Sequence, residues 1–289
     1  MNRQITYLIS GQAHLPYLVV SLWTLRSHYS GPIQVHAWPE SFELVSKIAE
    51  DKRLGITARE REPKLRRKDG VGGNSQFLDK IDMTMNLDVG VSLYLDADTT
   101  INGNLENLFL AAEEYGFCCT QWNDWVTTGP TISKRVGELR SVEGIPNELV
   151  ELTTQSLWPS VNGGVWAAKP NSPVLPLWYE WTRRCEGMFI ADEKVLHLMQ
   201  TNFFMKGQLI TLRGSYNVSP KHKPQWMYDN QVVIWHYHGD SNVRPAKSQK
   251  GVDLWMPIFN ECLRLDVGEI AEWWPRVGNR HLNKMEVKA

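Results

Sequence analysis

Two acids separated by one residue, Asp96 and Asp98, follow the short apolar run Val91–Leu95 and are well placed to do chemistry. Side chains alternate along an extended chain, so carboxylates at i and i+2 point roughly the same way. Two such charges at one spot call for a cation. A divalent ion shared between the acids and a diphosphate satisfies them, because Mg2+ and Mn2+ prefer oxygen ligands and partner with phosphates. The alternative is a loop pair that merely caps the following helix. His236 and His238 end a second apolar run that starts at Val232, and Gly239 after them lets the backbone approach a ligand closely. Imidazole suits Mn2+ better than Mg2+. Any single histidine, however, is more often a packing or surface residue than a ligand.

The elements that must position these groups read as an α/β domain. Ile5–Ser10 is an apolar run ending in Ser-Gly, a helical pattern follows through Tyr17, Val20, Ser21, Thr24 and Leu25, and Gly31-Pro32 precedes a second strand, Ile33–Ala37. Strand, helix, strand in that order predicts a largely parallel sheet. A helix is expected over Phe42–Asp51, then a polar, glycine-rich, basic stretch over Arg59–Asn74. The cluster Pro63-Lys64-Leu65-Arg66-Arg67-Lys68 is either a solvated loop or a flap over an anionic ligand. The next helix, Ser75 to Asn86, places Phe77, Ile81 and Met85 on one face. Val91–Leu95 is short and apolar enough for a buried central strand. Asn104 is expected to cap a helix carrying Leu105, Leu108, Phe109 and Ala112. In an open α/β sheet, ligands bind at the carboxyl ends of strands, which is where Asp96 and Asp98 fall. Further on, Val161–Ala168 is expected as a strand entered through a tight Asn162-Gly163-Gly164 turn. Pro173–Arg184 and Asp192–Lys206 are expected as helices, and 232–239 as a late strand.

Composition narrows the class. The chain has 289 residues, 31 basic against 32 acidic, for a net charge of −1, which gives no general pull toward nucleic acid. No apolar stretch approaches a membrane span, and the start lacks a charged-then-apolar leader, so no membrane span and a cytoplasmic location are expected. Cys118, Cys119, Cys185 and Cys262 lack metal-ligand spacing and are expected as reduced thiols. The 13 tryptophans exceed an average composition. Trp stacks on sugars and bases but also fills cores.

Taken together, Leu93-Tyr94-Leu95-Asp96-Ala97-Asp98-Thr99 and Asn104-Leu105-Glu106-Asn107-Leu108-Phe109 resemble the metal-binding D-x-D segment of glycosyltransferase family 8, the group of glycogenin and bacterial galactosyltransferases. Further segments follow in order. Lys80 is similar to the family lysine set against the donor nucleotide, and Asn162-Gly163-Gly164-Val165 to the segment lining donor sugar and acceptor. Asp192-Glu193 stands in the place of an Asp-Gln pair at the reacting centre. His236-Tyr237-His238-Gly239 resembles an H-x-x-G motif whose first histidine completes the metal site, and Arg244-Pro245 its following basic residue and proline, two positions late. Ser10-Gly11 resembles the first strand end, where the base sits.

The resemblance spans roughly residues 5–245. It implies a GT-A fold, meaning a Rossmann-like, mixed but mainly parallel sheet flanked by helices, in a single domain over 1–265 with a C-terminal extension over 266–289. It implies transfer of a hexose from a nucleotide sugar, UDP-linked, to an acceptor hydroxyl with retention, Mn2+ or Mg2+ being held by Asp96, Asp98 and His236. Lys80 and Arg244 would contact the diphosphate, and Ser10, Gly11, Ala97, Asn162, Gly163, Gly164 and Gly239 would line the donor.

Two other classes compete. Asp-x-Asp-x-Thr after an apolar strand also opens haloacid-dehalogenase-type phosphatases, but there it lies near the chain start, and only Gly239-Asp240-Ser241 offers the later acidic motif. A non-catalytic nucleotide-sugar or carbohydrate-binding protein would keep the fold and lose turnover. A nucleic-acid base as acceptor draws only on the Lys64–Lys68 cluster and the tryptophan surplus. Acceptor contacts are expected from Thr120–Ser160, with Trp122, Trp125 and Trp158, and from Trp273-Trp274.

Overall fold

A seven-stranded sheet, in the strand order Ile210–Leu212, Phe117–Gln121, Val161–Ala168, Val91–Leu95, Arg3–Ile9, Ile33–Ala37, Ile56–Glu60, forms the centre of the computed structural model. The structure describes residues 2–67, 70–71, 75–121, 134–156, 160–212, 214–220, 223, 227–237 and 249–265. The elements are β1 (Arg3–Ile9), α1 (Leu15–Arg26), β2 (Ile33–Ala37), α2 (Pro39–Glu50) and β3 (Ile56–Glu60), then a small antiparallel ribbon of β4 (Arg66–Arg67) and β5 (Gly70–Val71). Next come α3 (Ser75–Met85), β6 (Val91–Leu95), β7 (Thr99–Ile101), α4 (Glu106–Tyr115), β8 (Phe117–Gln121) and α5 (Asn147–Gln155). The remainder is β9 (Val161–Ala168), α6 (Val174–Arg184), α7 (Ala191–Phe204), β10 (Ile210–Leu212), β11 (Ile234–His236) and α8 (Gln249–Cys262).

The alternation of side chains splits the core into two layers. Ile5, Tyr7 and Ile9 of β1 and Leu93 and Leu95 of β6 join Leu18, Leu22, Val45, Leu108 and Phe259 from α1, α2, α4 and α8. Leu8, Tyr94 and Trp166 point the other way, toward Ile81, Trp178, Val195 and Met199 from α3, α6 and α7. β6 lies inside the sheet, every residue of it buried, as its apolar run predicts. Trp38, Trp166, Trp178, Trp181, Trp235 and Trp255 are buried, so much of the tryptophan surplus is core. The four cysteines are buried and form no disulfide.

β1, β2, β3, β6, β8 and β10 share one direction, and β9 alone runs against its neighbours β6 and β8. Reversal puts the first residues of β9 at the carboxyl edge of β6. The expected Asn162-Gly163-Gly164 turn is therefore corrected: all three residues lie within the strand, and the glycines answer a different need, described below. Of the expected late strand over 232–239, residues 232–237 are described, and among these only Ile234–His236 is strand, pairing with β7 outside the main sheet. β3 runs into the stretch expected to be irregular, Arg59–Asn74, and β8, β10, α5 and α8 add to the elements expected from the sequence. The N-cap of α4 is Leu105 and not the expected Asn104, which stands one residue earlier and accepts from the Glu106 N–H through Oδ1 at 2.7 Å. The expected extension, 266–289, lies outside the described residues. No helix among those described is long and apolar enough to cross a membrane.

Candidate functional site

Three elements converge where β6 ends. The chain leaves β6 through Asp96-Ala97-Asp98 and enters β7 at once. β7 pairs antiparallel with β11, in a register that sets His236 opposite Thr99, one residue beyond Asp98. The His236 Nε2 atom consequently lies 3.1 Å from Asp98 Oδ1 and 3.6 Å from Asp96 Oδ2. One potential ligand atom from each residue falls within 4.8 Å of the others. The two acid side chains keep 32% and 19% of their exposure while His236 keeps 1%, so the imidazole backs the partly buried carboxylates.

The imidazole is held from behind. Asn217 is buried in a stretch whose neighbour Val218 bridges β11. Its Nδ2 donates to Thr120 Oγ1 at 2.9 Å and to Asn162 Oδ1 at 3.3 Å, which leaves its Oδ1, 2.8 Å from His236 Nδ1, as an acceptor. In the neutral imidazole the proton then sits on Nδ1, and the Nε2 lone pair points at the acids. Two carboxylates and a neutral imidazole with its far nitrogen anchored are a fitting donor set for Mn2+ or Mg2+.

β9 closes the other side. Asp96 N–H donates to Gly164 O at 2.7 Å, pressing the strand against the acid loop. A Cβ on Gly164 would stand 2.5 Å from Asp96 Oδ2 and would overlap His236 Cε1. A Cβ on Gly163 would stand 2.6 Å from Asp192 Oδ2 and 2.9 Å from Lys80 Nζ. These two glycines are required by close approach, not by a turn.

Lys80, on the inner face of α3, is buried and bonds Asp192 Oδ2 at 2.6 Å and Gly163 O at 2.8 Å. Asp192 begins α7 and is buried as well. Its Oδ1 has no hydrogen-bond partner among the described residues. The entry to α7 is strained: Ile190 sits at φ 47°, a left-handed conformation that β-branched residues avoid. Glu193, the next residue after Asp192, has both oxygens engaged. Arg135 Nη2 donates to Oε2 at 2.6 Å and Asn162 Nδ2 to Oε1 at 2.5 Å.

Electrostatics follow from this packing. Burial raises the Asp96 pKa, with Lys80 and His236 opposing. Burial and the Asp192 charge raise that of Glu193, opposed by Arg135. For Lys80 and His236, burial works against the charge, but neighbouring carboxylates outweigh it and both pKa values are raised. Burial and the Asp96 charge push the Tyr94 phenol well up, so it stays a donor, bonding Asp96 Oδ1 at 2.6 Å.

Of the residues expected at the site, Lys80, Asp96, Ala97, Asp98, Asn162, Gly163, Gly164, Asp192, Glu193 and His236 come together in one linked group. Ser10 and Gly11 follow β1, which is parallel to β6, and so lie on the same sheet edge. His238, Gly239, Arg244, Trp122, Trp125, Trp158 and Trp273-Trp274 lie outside the described residues. In the basic cluster, Lys64 pairs with Asp82 at 3.1 Å, and its backbone N–H donates to the buried Asp79. Asn217, Tyr94 and Arg135 belong to the group and escape sequence reasoning. For Tyr94 a signal existed: two positions before an acid on the same strand, its side chain shares that acid's face.

The strand order, the single reversed strand and the acid loop after the central strand define a GT-A fold, in one α/β domain. Among solved structures, the chain is similar to the galactosyltransferase LgtC in complex with donor and acceptor sugar analogues, with a TM-score of 0.60 and 14% identity over 89% of this chain and 95% of that one. An active-site mutant of LgtC, glutamine to glutamate, gives 0.61 and 14% over the same shares. Mouse xyloside xylosyltransferase 1 gives 0.55 and 12%, over 84% of this chain and 100% of that one. At such identities the likeness is one of fold. No family model and no curated relative matches the sequence.

Proposed function

We propose that the protein is a metal-dependent retaining glycosyltransferase that moves a hexose from a nucleotide sugar, UDP-linked, to an acceptor hydroxyl. The observation that carries this reading is the convergence of Asp96, Asp98 and the Nε2 of His236 at the carboxyl end of the central strand of a GT-A fold. A divalent cation there would neutralise the charge growing on the departing diphosphate. Ser10 and Gly11 close the same sheet edge, where a nucleotide base fits. Lys80 fixes Asp192 through a 2.6 Å ion pair. The orphaned Oδ1 of Asp192 is then left to accept a hydrogen bond from a donor-sugar hydroxyl. Gly163 and Gly164 let Lys80, Asp192, Asp96 and His236 close on the strand backbone. In the transfer, the bond from the anomeric carbon to the diphosphate oxygen breaks and a bond to the acceptor oxygen forms. The acceptor proton leaves with the diphosphate. Glu193, beside Asp192, is placed to oppose positive charge on the ring.

The basic Lys64–Lys68 region and the tryptophans of 120–160 are the proposed acceptor side, a glycan, glycolipid or nucleic-acid hydroxyl. The acids follow β6, the fourth-placed strand of the sheet order, after some ninety residues of α/β structure, which favours this reading over a phosphatase. The test is donor turnover against UDP-hexoses with Mn2+. Wild type should release UDP, excess chelator should stop it, and Asp98→Ala should lose Mn2+-dependent donor binding with its melting temperature kept. Full turnover in chelator would overturn the reading. Donor binding without turnover would leave a binding protein.

A further inference from the structure

A carboxylate buried among other carboxylates is costly unless a cation is assigned to it. Asp96, Asp98, Asp192 and Glu193 are linked within one site, and Lys80 is committed to Asp192. Glu193 has its own cation. Arg135, from a helical turn at 134–137, reaches it across 58 residues of sequence and bonds Oε2 at 2.6 Å. The two side chains retain 20% and 16% of their exposure, so solvent screens the pair little.

The other oxygen of Glu193 is equally determined. Asn162 Oδ1 is taken by the Gly164 N–H at 2.8 Å and by Asn217 Nδ2, so Asn162 Nδ2 is turned toward Glu193 Oε1. A single directed run of hydrogen bonds therefore goes from His236 through Asn217 and Asn162 to Glu193, and Arg135 terminates it. With both oxygens fixed, the carboxylate plane has one orientation relative to Asp192 and to the acids at the end of β6.

We propose that Arg135 is a positioning residue: its guanidinium holds Glu193 ionised and in plane beside Asp192, so that a carboxylate serves where the resembling family has a neutral amide. The proposal rests on the transferase reading for its kinetic consequence, and on geometry alone for the pairing. An uncharged side chain at 135 leaves Glu193 free to protonate or to swing from Asn162. A neutral glutamine at 193 needs no such partner.

The experiment is a cycle of Arg135→Met, Glu193→Gln and the double variant, read by donor turnover and by thermal unfolding in the absence of donor. Arg135→Met is expected to lower kcat at least thirtyfold with the donor KM within about threefold, the signature of lost positioning rather than lost binding. It should also lower the melting temperature by roughly 5 °C, the effect of leaving a charge unpaired. Glu193→Gln added to Arg135→Met should recover at least tenfold in kcat and half or more of the melting shift. Arg135→Lys, which keeps charge but not the planar fork, should fall between wild type and Arg135→Met. A double variant no faster and no more stable than Arg135→Met would overturn the proposal, since Arg135 would then serve only to dock its own segment. Wild-type kcat in Arg135→Met would overturn it as well. If wild type itself turns over no donor, the transferase reading fails, and the unfolding cycle alone decides whether Arg135 is assigned to Glu193.

Discussion

Gly164 has room for a hydrogen and nothing larger. An alanine there would push on Asp96 Oδ2 and His236 Cε1 together, so Gly164→Ala should weaken Mn2+ binding at least tenfold by calorimetric titration. Gly163→Ala presses instead on Lys80 and Asp192, and should leave Mn2+ affinity near wild type while donor turnover falls. Equal Mn2+ affinity in both variants would remove Asp96 and His236 from the cation site. Asn217 is the other residue on which the arrangement depends. Asn217→Leu strips the acceptor from His236 Nδ1 and should cost roughly ten- to a hundredfold in Mn2+ affinity, the usual scale for a group that orients a ligating imidazole. Neither role could be read from the chain. The glycines look like a turn, and Asn217, in Gly214-Ser215-Tyr216-Asn217, looks like an ordinary loop residue. Asp96 and Asp98 were legible because a buried strand fixes where they emerge, and His236 through motif order.

At the scale of elements, the β7–β11 ribbon makes the site, and it joins only three residues from each strand. Burial opposes the charge on His236, but Asp98 and Asp96 raise its pKa above the ordinary 6.5. A proton and a cation therefore compete for Nε2. In chelator, the protonated imidazole stabilises the fold below pH 6.5, and that contribution is lost as pH rises through the raised value. With Mn2+ present the order reverses, because only neutral imidazole ligates. The gain in melting temperature from Mn2+ should grow from about pH 6 to pH 8. A pH-independent gain would exclude His236 as a ligand. β2, β6 and β9 were readable as strands because buried β-rich runs have little else to become. β8, Phe117-Cys118-Cys119-Thr120-Gln121, shows no alternation because both its faces are covered. The direction of β9 depends on partners far away in sequence, which no local pattern encodes.

For the whole molecule, the fold class followed from the order of strands and helices, whereas the joining of distant segments did not. Acid stability is a property of the same scale. Burial, with Arg61 and Arg59 nearby, lowers the His36 pKa to about 4. The unfolded chain takes up a proton near pH 6.5 that the folded chain refuses, so stability falls between pH 6.5 and 4 by on the order of 3 kcal/mol from this group. Comparing urea unfolding of wild type and His36→Phe at pH 7 and pH 5 isolates it: the variant should lose less on acidification. The ribbon has a consequence in time as well. His236 and Asp98 are 138 residues apart along the chain. Closing a loop of that length costs about 4 kcal/mol more than joining neighbours, and slow, non-local pairings form late. The parallel strands β1, β2 and β6 can assemble from the first hundred residues, but the proposed cation site has to wait for the last strand to arrive. In refolding, recovery of Mn2+ affinity should therefore lag behind amide protection of β1, β2 and β6 in pulsed hydrogen exchange, so that the ion marks completed chains.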